Sequence, residues 1–204
     1  MDIYTFKKDN FKGSNLTSLF QKYGKNVVRY ARSILTKRKK NTSSKTLYDS
    51  LSYNTHYDST DMSFTVSIDV GDAESYWEYV ESGVKGSKST KPNVGKNREV
   101  LGLPSFSFKK KNVAKGVIES WIKKKGIRGR VDKKWKSAGN KGGQFISDKS
   151  FAFLIGRAIA SRGIAYSGFL STPIITQNKT LSKEIYEAYG KDLENYYDKE
   201  LIIK

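Results

Sequence analysis

The feature that most constrains the fold is a strict alternation of apolar and polar residues between Met62 and Val70. Apolar side chains occupy every second position of this segment, and the positions between them hold Ser, Thr and Asp. Successive side chains of a β-strand point to opposite faces of a sheet. The segment therefore predicts a strand that buries one face and exposes the other.

An earlier segment predicts the strand that pairs with it. One face of a strand over 47–55 would carry Leu47, Asp49, Leu51, Tyr53 and Thr55, and residues 56–61 form a polar connection. Two such strands joined by a short polar segment are typical of an antiparallel hairpin. Gly71 stands where the hairpin should end.

Helical periodicity surrounds this hairpin. Residues 14–38 repeat apolar side chains at steps of three and four, and the cations Lys22, Lys25, Arg29 and Arg32 lie between them. Further helices are predicted over 74–82, 112–125, 151–161 and roughly 180–200, and Gly83, Gly126 and Gly163 stand where the first three should end. Residues 169–176 fit either a strand or an extended lead into a helix near Pro173. Together these elements predict an α+β fold.

The charges are segregated along the chain, whose net charge is +18. Residues 1–45 carry 12 Lys and Arg against 2 acids, residues 46–84 carry 8 acids and no Lys or Arg, and residues 85–136 carry 17 Lys and Arg against 3 acids. Residues 84–111 hold few apolar side chains and residues 126–147 are rich in Gly and Lys, so both stretches are predicted to be long loops. The basic segments favour a polyanion such as DNA or the acidic face of another subunit as partner. For any single basic run, a solvated surface is the alternative.

The composition argues against several kinds of catalytic or metal site. The chain has no Cys and one His, His56, so it lacks thiolate ligands, a Cys nucleophile and a His-based zinc site. Glu78 and Glu81 lie one helical turn apart, but a subunit contact or a solvated face is preferred to acid catalysis. Residues 139–143 are rich in Gly yet lack the spacing of a phosphate-binding loop, which favours a flexible loop tip. We expect no enzyme activity, no metal and no cofactor.

The hydropathy pattern predicts an intracellular protein with no membrane partner. No stretch approaches the roughly 20 apolar residues of a membrane span. Residues 1–8 lack the apolar run of a signal peptide. The 204 residues suffice for one domain of ordinary size.

The order of the elements and several spaced motifs resemble the tail-completion or head–tail joining (neck) proteins of tailed bacteriophages. The motifs are Leu47-Tyr48-Asp49-Ser50-Leu51 after the first helix, Tyr76-Trp77-Glu78-Tyr79-Val80-Glu81-Ser82-Gly83 after the hairpin, Trp121 to Ile127, Phe151 to Ile155 through Arg162-Gly163-Ile164, and Gly168-Phe169-Leu170. The second motif departs from the family pattern in two places. Trp77 replaces a small residue and Ser82 replaces an aromatic one.

The resemblance implies a fold, a role and a set of partners. The fold is a small antiparallel sheet packed by a long N-terminal helix, followed by C-terminal helices. In this chain it would be a single domain over 1–204, with a core of residues 14–83 and 148–204 and a basic insertion over 84–147. The role is that of a homo-oligomeric ring in the virion, between the portal or connector and the tail proteins, assembled in the host cytoplasm. Contact with genomic DNA would follow from that position.

Two groups of residues are candidates for contact sites. The second motif predicts a subunit interface formed by Tyr76, Trp77, Glu78, Tyr79 and Glu81. Basic residues with interleaved aromatics can bind a nucleic-acid backbone and stack on bases. The segment 109–136 has this character and predicts contact with DNA or with an acidic neighbouring subunit. Its members are Lys109, Lys110, Lys111, Lys123, Lys124, Lys125, Arg128, Arg130, Lys133, Lys134 and Trp135. Trp121 lies on the apolar stripe of its helix, and core packing is expected for it.

Three functions follow in order of preference. The first is a structural subunit of the phage neck that acts by shape and charge complementarity around a closed ring. The alternative is a freestanding basic nucleic-acid-binding protein for DNA packaging or regulation. A nuclease ranks last, because the acids of 46–84 form no recognisable metal-binding motif.

Overall fold

The computed structural model describes residues 13–38, 46–58, 63–89, 96–108, 115–131 and 143–202. The chain divides into two compact units, one formed by 1–77 with 168–204 and the other by 78–167. The second unit takes in all of the predicted insertion over 84–147, together with the apolar helix that follows it. The fold is α+β, as the sequence predicts.

The described helices and strands follow one another in this order: α1 (Ser14–Lys37), α2 (Thr46–Ser50), β1 (Ser52–Asp58), β2 (Ser63–Asp69), α3 (Trp77–Ser82), β3 (Val84–Lys85), β4 (Phe106–Ser107), α4 (Lys115–Lys125), α5 (Asp148–Arg162), β5 (Gly163–Ile164) and α6 (Ser171–Ile202). Short 3-10 turns span Gly71–Ala73 and Lys96–Leu101. None of the helices in the described part of the chain combines the length and apolar content that a membrane crossing requires.

The predicted antiparallel hairpin is confirmed in the first unit. Strands β1 and β2 pair from Ser52 opposite Asp69 to Asp58 opposite Ser63. Partly buried and exposed residues alternate along both strands, so the hairpin has one covered face. Phe64 lies on that face near the connection between the strands, where its ring stacks on Phe20 at 4.9 Å and on Tyr57 at 4.5 Å between centroids. The alternation around Phe64 therefore reflects contact with α1.

Helix α1 covers the hairpin, as the periodicity of 14–38 predicts. Its buried residues, Leu16, Gly24, Val27, Val28, Ala31 and Leu35, form one stripe. At Gly24 the helix backbone approaches the sheet so closely that a Cβ atom would lie 2.9 Å from Tyr53 Cγ. Only glycine fits this position without displacing the Tyr53 ring.

The strand predicted over 47–55 is wrong in its first half, where α2 forms instead. The short helix is held by contacts that the local pattern does not contain. Arg32 of α1 donates from Nε to the carbonyl of Tyr48 at 3.0 Å and from Nη2 to that of Leu51 at 2.8 Å. Ser50 Oγ donates to the carbonyl of Val70 at 2.7 Å. These bonds bring α2 against the turn that follows the hairpin.

Helix α6 is longer than the predicted helix over 180–200. It runs from Ser171 to Ile202 as one element of 32 residues and passes through Gly190. The strand reading of 169–176 is wrong, since the helix begins at Ser171 and Pro173 lies in its first turn, where a missing N–H costs no helical bond. The helix packs antiparallel to α1, because Asp192 contacts the start of α1 whereas Asn178 accepts from Tyr23, further along it, at 2.8 Å.

The second unit has its own sheet and its own core. Strand β3 lies between β4, to which it is parallel, and β5, to which it is antiparallel. The loop predicted over 84–111 therefore contains two short strands. Ile118 and Ile122 of α4 pack against Ala152 of α5 to form the core. Helix α4 ends at Gly126, whose φ of 62° suits glycine, as the sequence predicts.

Candidate functional site

The C-terminal turn of α4 presents a basic surface. Lys123, Lys124 and Lys125 are all exposed. Lys123 pairs with Glu119 one turn earlier, with 3.2 Å between Nζ and Oε1. In the described part of the chain, Lys124 and Lys125 have no carboxylate partner. The negative end of the helix dipole stabilises cations at a helix C-terminus. This stabilisation offsets part of the repulsion among the three adjacent lysines.

Two arginines and a phenylalanine continue this surface beyond α4. The Arg130 guanidinium lies over the Phe145 ring, with Cζ 4.2 Å from the ring centroid. The Arg128 guanidinium approaches the same ring at 5.7 Å. Phe145 is 53% exposed, and both arginines are exposed. We call Arg128, Arg130 and Phe145 the arginine–phenylalanine cluster.

A short antiparallel ladder positions this cluster. Arg130 and Phe145 face each other as bridge partners. Val131 N donates to the carbonyl of Gln144 at 2.9 Å, and Ile146 N donates to that of Gly129 at 3.0 Å. Residues two apart in an extended segment point to the same side, which places Arg128 and Arg130 together. The buried residue between them is Gly129.

Gly129 anchors the ladder to the core of the second unit. A Cβ atom at this position would lie 2.6 Å from Phe151 Cγ and 2.9 Å from Ile146 Cγ1. The backbone of 128–130 therefore lies directly on α5, at a position that only glycine permits. This close approach sets the distance between α5 and the backbone that carries the two arginines.

The structure brings together five of the predicted basic contact residues. Three lie at the end of α4 and two lie in the cluster. The remaining predicted residues lie outside the described part of the chain: Lys109, Lys110, Lys111, Lys133, Lys134 and Trp135. Trp121 is 43% exposed, so its predicted place in the core is wrong. The neighbouring Ile122 is 1% exposed and packs in the core, because it lies on the face of α4 that contacts α5.

The predicted subunit contacts of the second motif have different exposures. Tyr76, Trp77 and Glu78 are half-buried, whereas Tyr79 is 44% exposed. The Tyr79 ring packs on Phe106 of β4 at 4.4 Å between centroids. Glu81 is 2% exposed, so its side chain faces the interior of the folded chain. The interface role of this motif stays a prediction, with Tyr79 as its most accessible member.

The end of α3 is fixed by a bond to a distant segment of the same unit. Ser167 Oγ donates to the carbonyl of Val80 at 2.6 Å, and Ser167 N donates to the same carbonyl at 3.1 Å. Helix α3 then stops at Gly83, whose φ is 73°. These contacts hold Tyr79 in place at the surface of the unit.

The described residues contain no group of three or more His, Asp and Glu that could hold a metal ion. His56 is exposed on β1, where it pairs with Thr65. The predicted strand ended one residue earlier, at Thr55, so His56 lies in the strand and not in the connection that follows it. The arrangement that the structure does offer is a set of cationic side chains on a rigid support. Guanidinium and ammonium groups are donors for charge-assisted hydrogen bonds to anions.

Sequence reasoning missed Phe145 as a member of the basic surface. The available signal was its place just after the Gly-rich segment, opposite an Arg-Gly-Arg sequence at 128–130. Pairing an aromatic residue with a cation across an antiparallel ladder is a common way to stabilise such a strand pair. The register could not be derived from the sequence, because the number of residues between the two segments leaves it open.

Comparison of the chain with models of protein families, with curated proteins and with solved structures gives no match.

Proposed function

We propose that this chain is a structural subunit of the neck of a tailed bacteriophage, a tail-completion or head–tail joining protein that forms a ring between portal and tail. The observation that carries the proposal is the packing of α1 across the β1–β2 hairpin, followed by the short aromatic helix α3 that ends at Gly83. This is the order of elements that the resemblance to neck proteins implies. The proposed role rests on this order of elements.

The distribution of charge in the first unit supports assembly from many copies. Lys22, Lys25 and Arg29 are exposed along α1, a helix with no acidic residue. The exposed acids Asp49, Asp72 and Glu74 surround the turn that follows β2. None of the six forms an ion pair with a described residue of its own chain. Opposite charges left unpaired within a subunit suit head-to-tail contacts between neighbours, which close into rings.

The decisive functional test is genetic. Deleting the reading frame from the genome that encodes it should give DNA-filled heads and separate tails, and supplying the chain from a plasmid should restore joined particles. Electron micrographs and infectious titre measure both outcomes. Complete, infectious particles without the chain would exclude a role in joining heads to tails.

The second candidate, a freestanding nucleic-acid-binding protein, is favoured by the exposed cations of α4 and the arginine–phenylalanine cluster. It predicts salt-sensitive DNA binding by a monomer and no requirement for the chain in the particle. Reversing the charge of Lys123, Lys124 and Lys125 separates the two roles. Loss of DNA binding with normal head–tail joining supports this candidate, whereas failure of joining supports the neck. If both activities stayed unchanged, the basic surface would have neither role.

A further inference from the structure

The arginine–phenylalanine cluster differs from an ordinary basic surface in that its cations are held in place. An exposed arginine normally loses side-chain conformational entropy when it binds a ligand, which weakens binding. Here the Phe145 ring holds the Arg130 guanidinium at 4.2 Å and attracts that of Arg128 at 5.7 Å. Stacking on an aromatic face leaves the N–H groups at the guanidinium edge free to donate.

Those donors have no partner within the described residues. Neither Arg128 nor Arg130 forms a side-chain hydrogen bond or an ion pair there. Glu119, an acid of α4, is engaged by Lys123. The two guanidiniums are therefore exposed against the Phe145 ring and have no ion-pair partner among the described residues. A fork of N–H donors in this state matches an anionic group with two oxygens.

The geometry of the support indicates how many anions would bind. Arg128 and Arg130 lie two residues apart in an extended segment, which spaces their backbones by about 6.6 Å. Neighbouring phosphates along one strand of a duplex are separated by a similar distance. Gly129, between them, lies close against Phe151 of α5. Each arginine can thus contact a separate phosphate.

We infer that the arginine–phenylalanine cluster is a clamp for two phosphates of a DNA duplex, with the lysines at the end of α4 extending the contact along the backbone. Five cations lie within residues 123–130. A duplex presents closely repeated charges that suit this density, whereas the carboxylates of a folded acidic protein are interspersed with neutral side chains. Contacts of this kind are independent of base sequence. The choice of duplex DNA rests on the proposed position in the neck.

The test measures binding of the purified full-length chain to a fluorescent DNA duplex of random sequence, by anisotropy across a salt series. Each phosphate contact adds about 0.9 to the slope of log affinity against log salt. The double substitution Arg128→Gln with Arg130→Gln should lower this slope by about 2 and weaken binding at least tenfold at moderate salt. The matched control, Lys149→Gln with Arg157→Gln, removes the same charge from exposed positions of α5 and should weaken binding by less than about threefold.

A second variant tests the ordering role of the ring. Phe145→Leu keeps every charge and an apolar side chain of similar reach. It should weaken binding about threefold, the value of a cation–π contact at an exposed site, with an unchanged salt slope. Thermal unfolding of each variant shows whether the fold is intact. Equal losses in the double variant and its control, or native affinity in Phe145→Leu, would overturn the clamp.

A competition arm distinguishes DNA from an acidic protein. Polyglutamate and unlabelled duplex are compared at equal charge as competitors for the labelled DNA. The clamp predicts that duplex competes at least tenfold better; equal competition would contradict it and favour an acidic partner. This assay uses the isolated chain, so it does not depend on ring formation. A chain that binds duplex but is dispensable for joining heads to tails would refute the neck proposal and leave the clamp standing.

Discussion

The buried carboxylate of Asp192 caps the N-terminus of α1 by accepting a hydrogen bond from the backbone N–H of Leu16 at 3.0 Å. Its other oxygen accepts from Asn15 N at 2.9 Å and from Asn15 Nδ2 at 2.8 Å. Gly13 at the N-cap position has no side chain that could do this. Residues 176 positions apart in sequence are thereby joined at the point where α6 meets α1.

Replacing Asp192 should destabilise the first unit. Asp192→Ala leaves the buried N–H of Leu16 and the partly buried N–H of Asn15 without acceptors and removes a negative charge from a helix N-terminus, so we expect a loss of about 3 kcal/mol in the free energy of unfolding. Denaturant titration followed by circular dichroism measures it. The control Asp198→Ala changes an exposed residue of α6 and should cost less than about 0.5 kcal/mol. Equal effects of the two substitutions would exclude the cap.

Two glycines in helices should respond in opposite directions to the same substitution. Gly24→Ala places a methyl group against the Tyr53 ring and should cost about 1–3 kcal/mol through overpacking. Gly190→Ala meets no atom within 4 Å and should stabilise α6 by about 0.5–1 kcal/mol, because alanine has the higher helix propensity. Thermal melts of the two variants test this contrast. A destabilised Gly190→Ala or a neutral Gly24→Ala would contradict the packing of α1 on the hairpin.

Tyr23 should make the first unit less stable in alkali. Burial raises the pKa of its phenol above the ordinary value of 10.0. Below that pH both the folded and the unfolded states hold the proton, so stability does not change. As pH rises past 10.0, the unfolded state ionises first, and stability falls until the pKa of the folded state is passed. Tyr23→Phe should remove this contribution, whereas Tyr186→Phe, at a residue that is 77% exposed, should retain it. Unfolding free energies measured across this pH range decide between them.

Ring formation should depend on attraction between the cations of α1 and the acids near the turn after β2. Reversing the charge of both groups together should restore it. Replacing Lys22, Lys25 and Arg29 by Glu should prevent assembly, and replacing Asp49, Asp72 and Glu74 by Lys should do the same. Combining all six substitutions in one chain should restore it, because attraction between neighbours returns with opposite sign. Sedimentation velocity at low salt measures the oligomer. If the oligomer forms equally well in all of these variants, the subunit contact lies elsewhere on the chain.

The elements that the sequence predicted well are those whose burial is local and periodic. The helix over 14–38 and the alternation around Phe64 each report directly on a single covered face, so α1 and β2 end within a few residues of expectation. Glycines with positive φ at 83 and 126 mark helix ends for a local reason as well. In such segments, neighbours along the chain determine the conformation.

The predictions are wrong or incomplete where the conformation of a segment depends on a residue that is distant in the sequence. The first half of the strand over 47–55 became helical because Arg32 binds the carbonyls of Tyr48 and Leu51. The cap at Asp192 and the aromatic partner of Arg130 depend on contacts that no spacing within one segment reveals. Of the candidate site, the basic residues could be predicted from composition, whereas the ring that orders two of them required the register of the ladder.

The most direct test of the neck assignment is electron cryomicroscopy of the particles made from the genome that encodes this chain. We expect a closed ring of copies between portal and tail, with α1 packed on the hairpin recognisable in each subunit. We also expect residues 123–130 to face the DNA channel. A particle whose neck is complete without this chain would contradict the assignment.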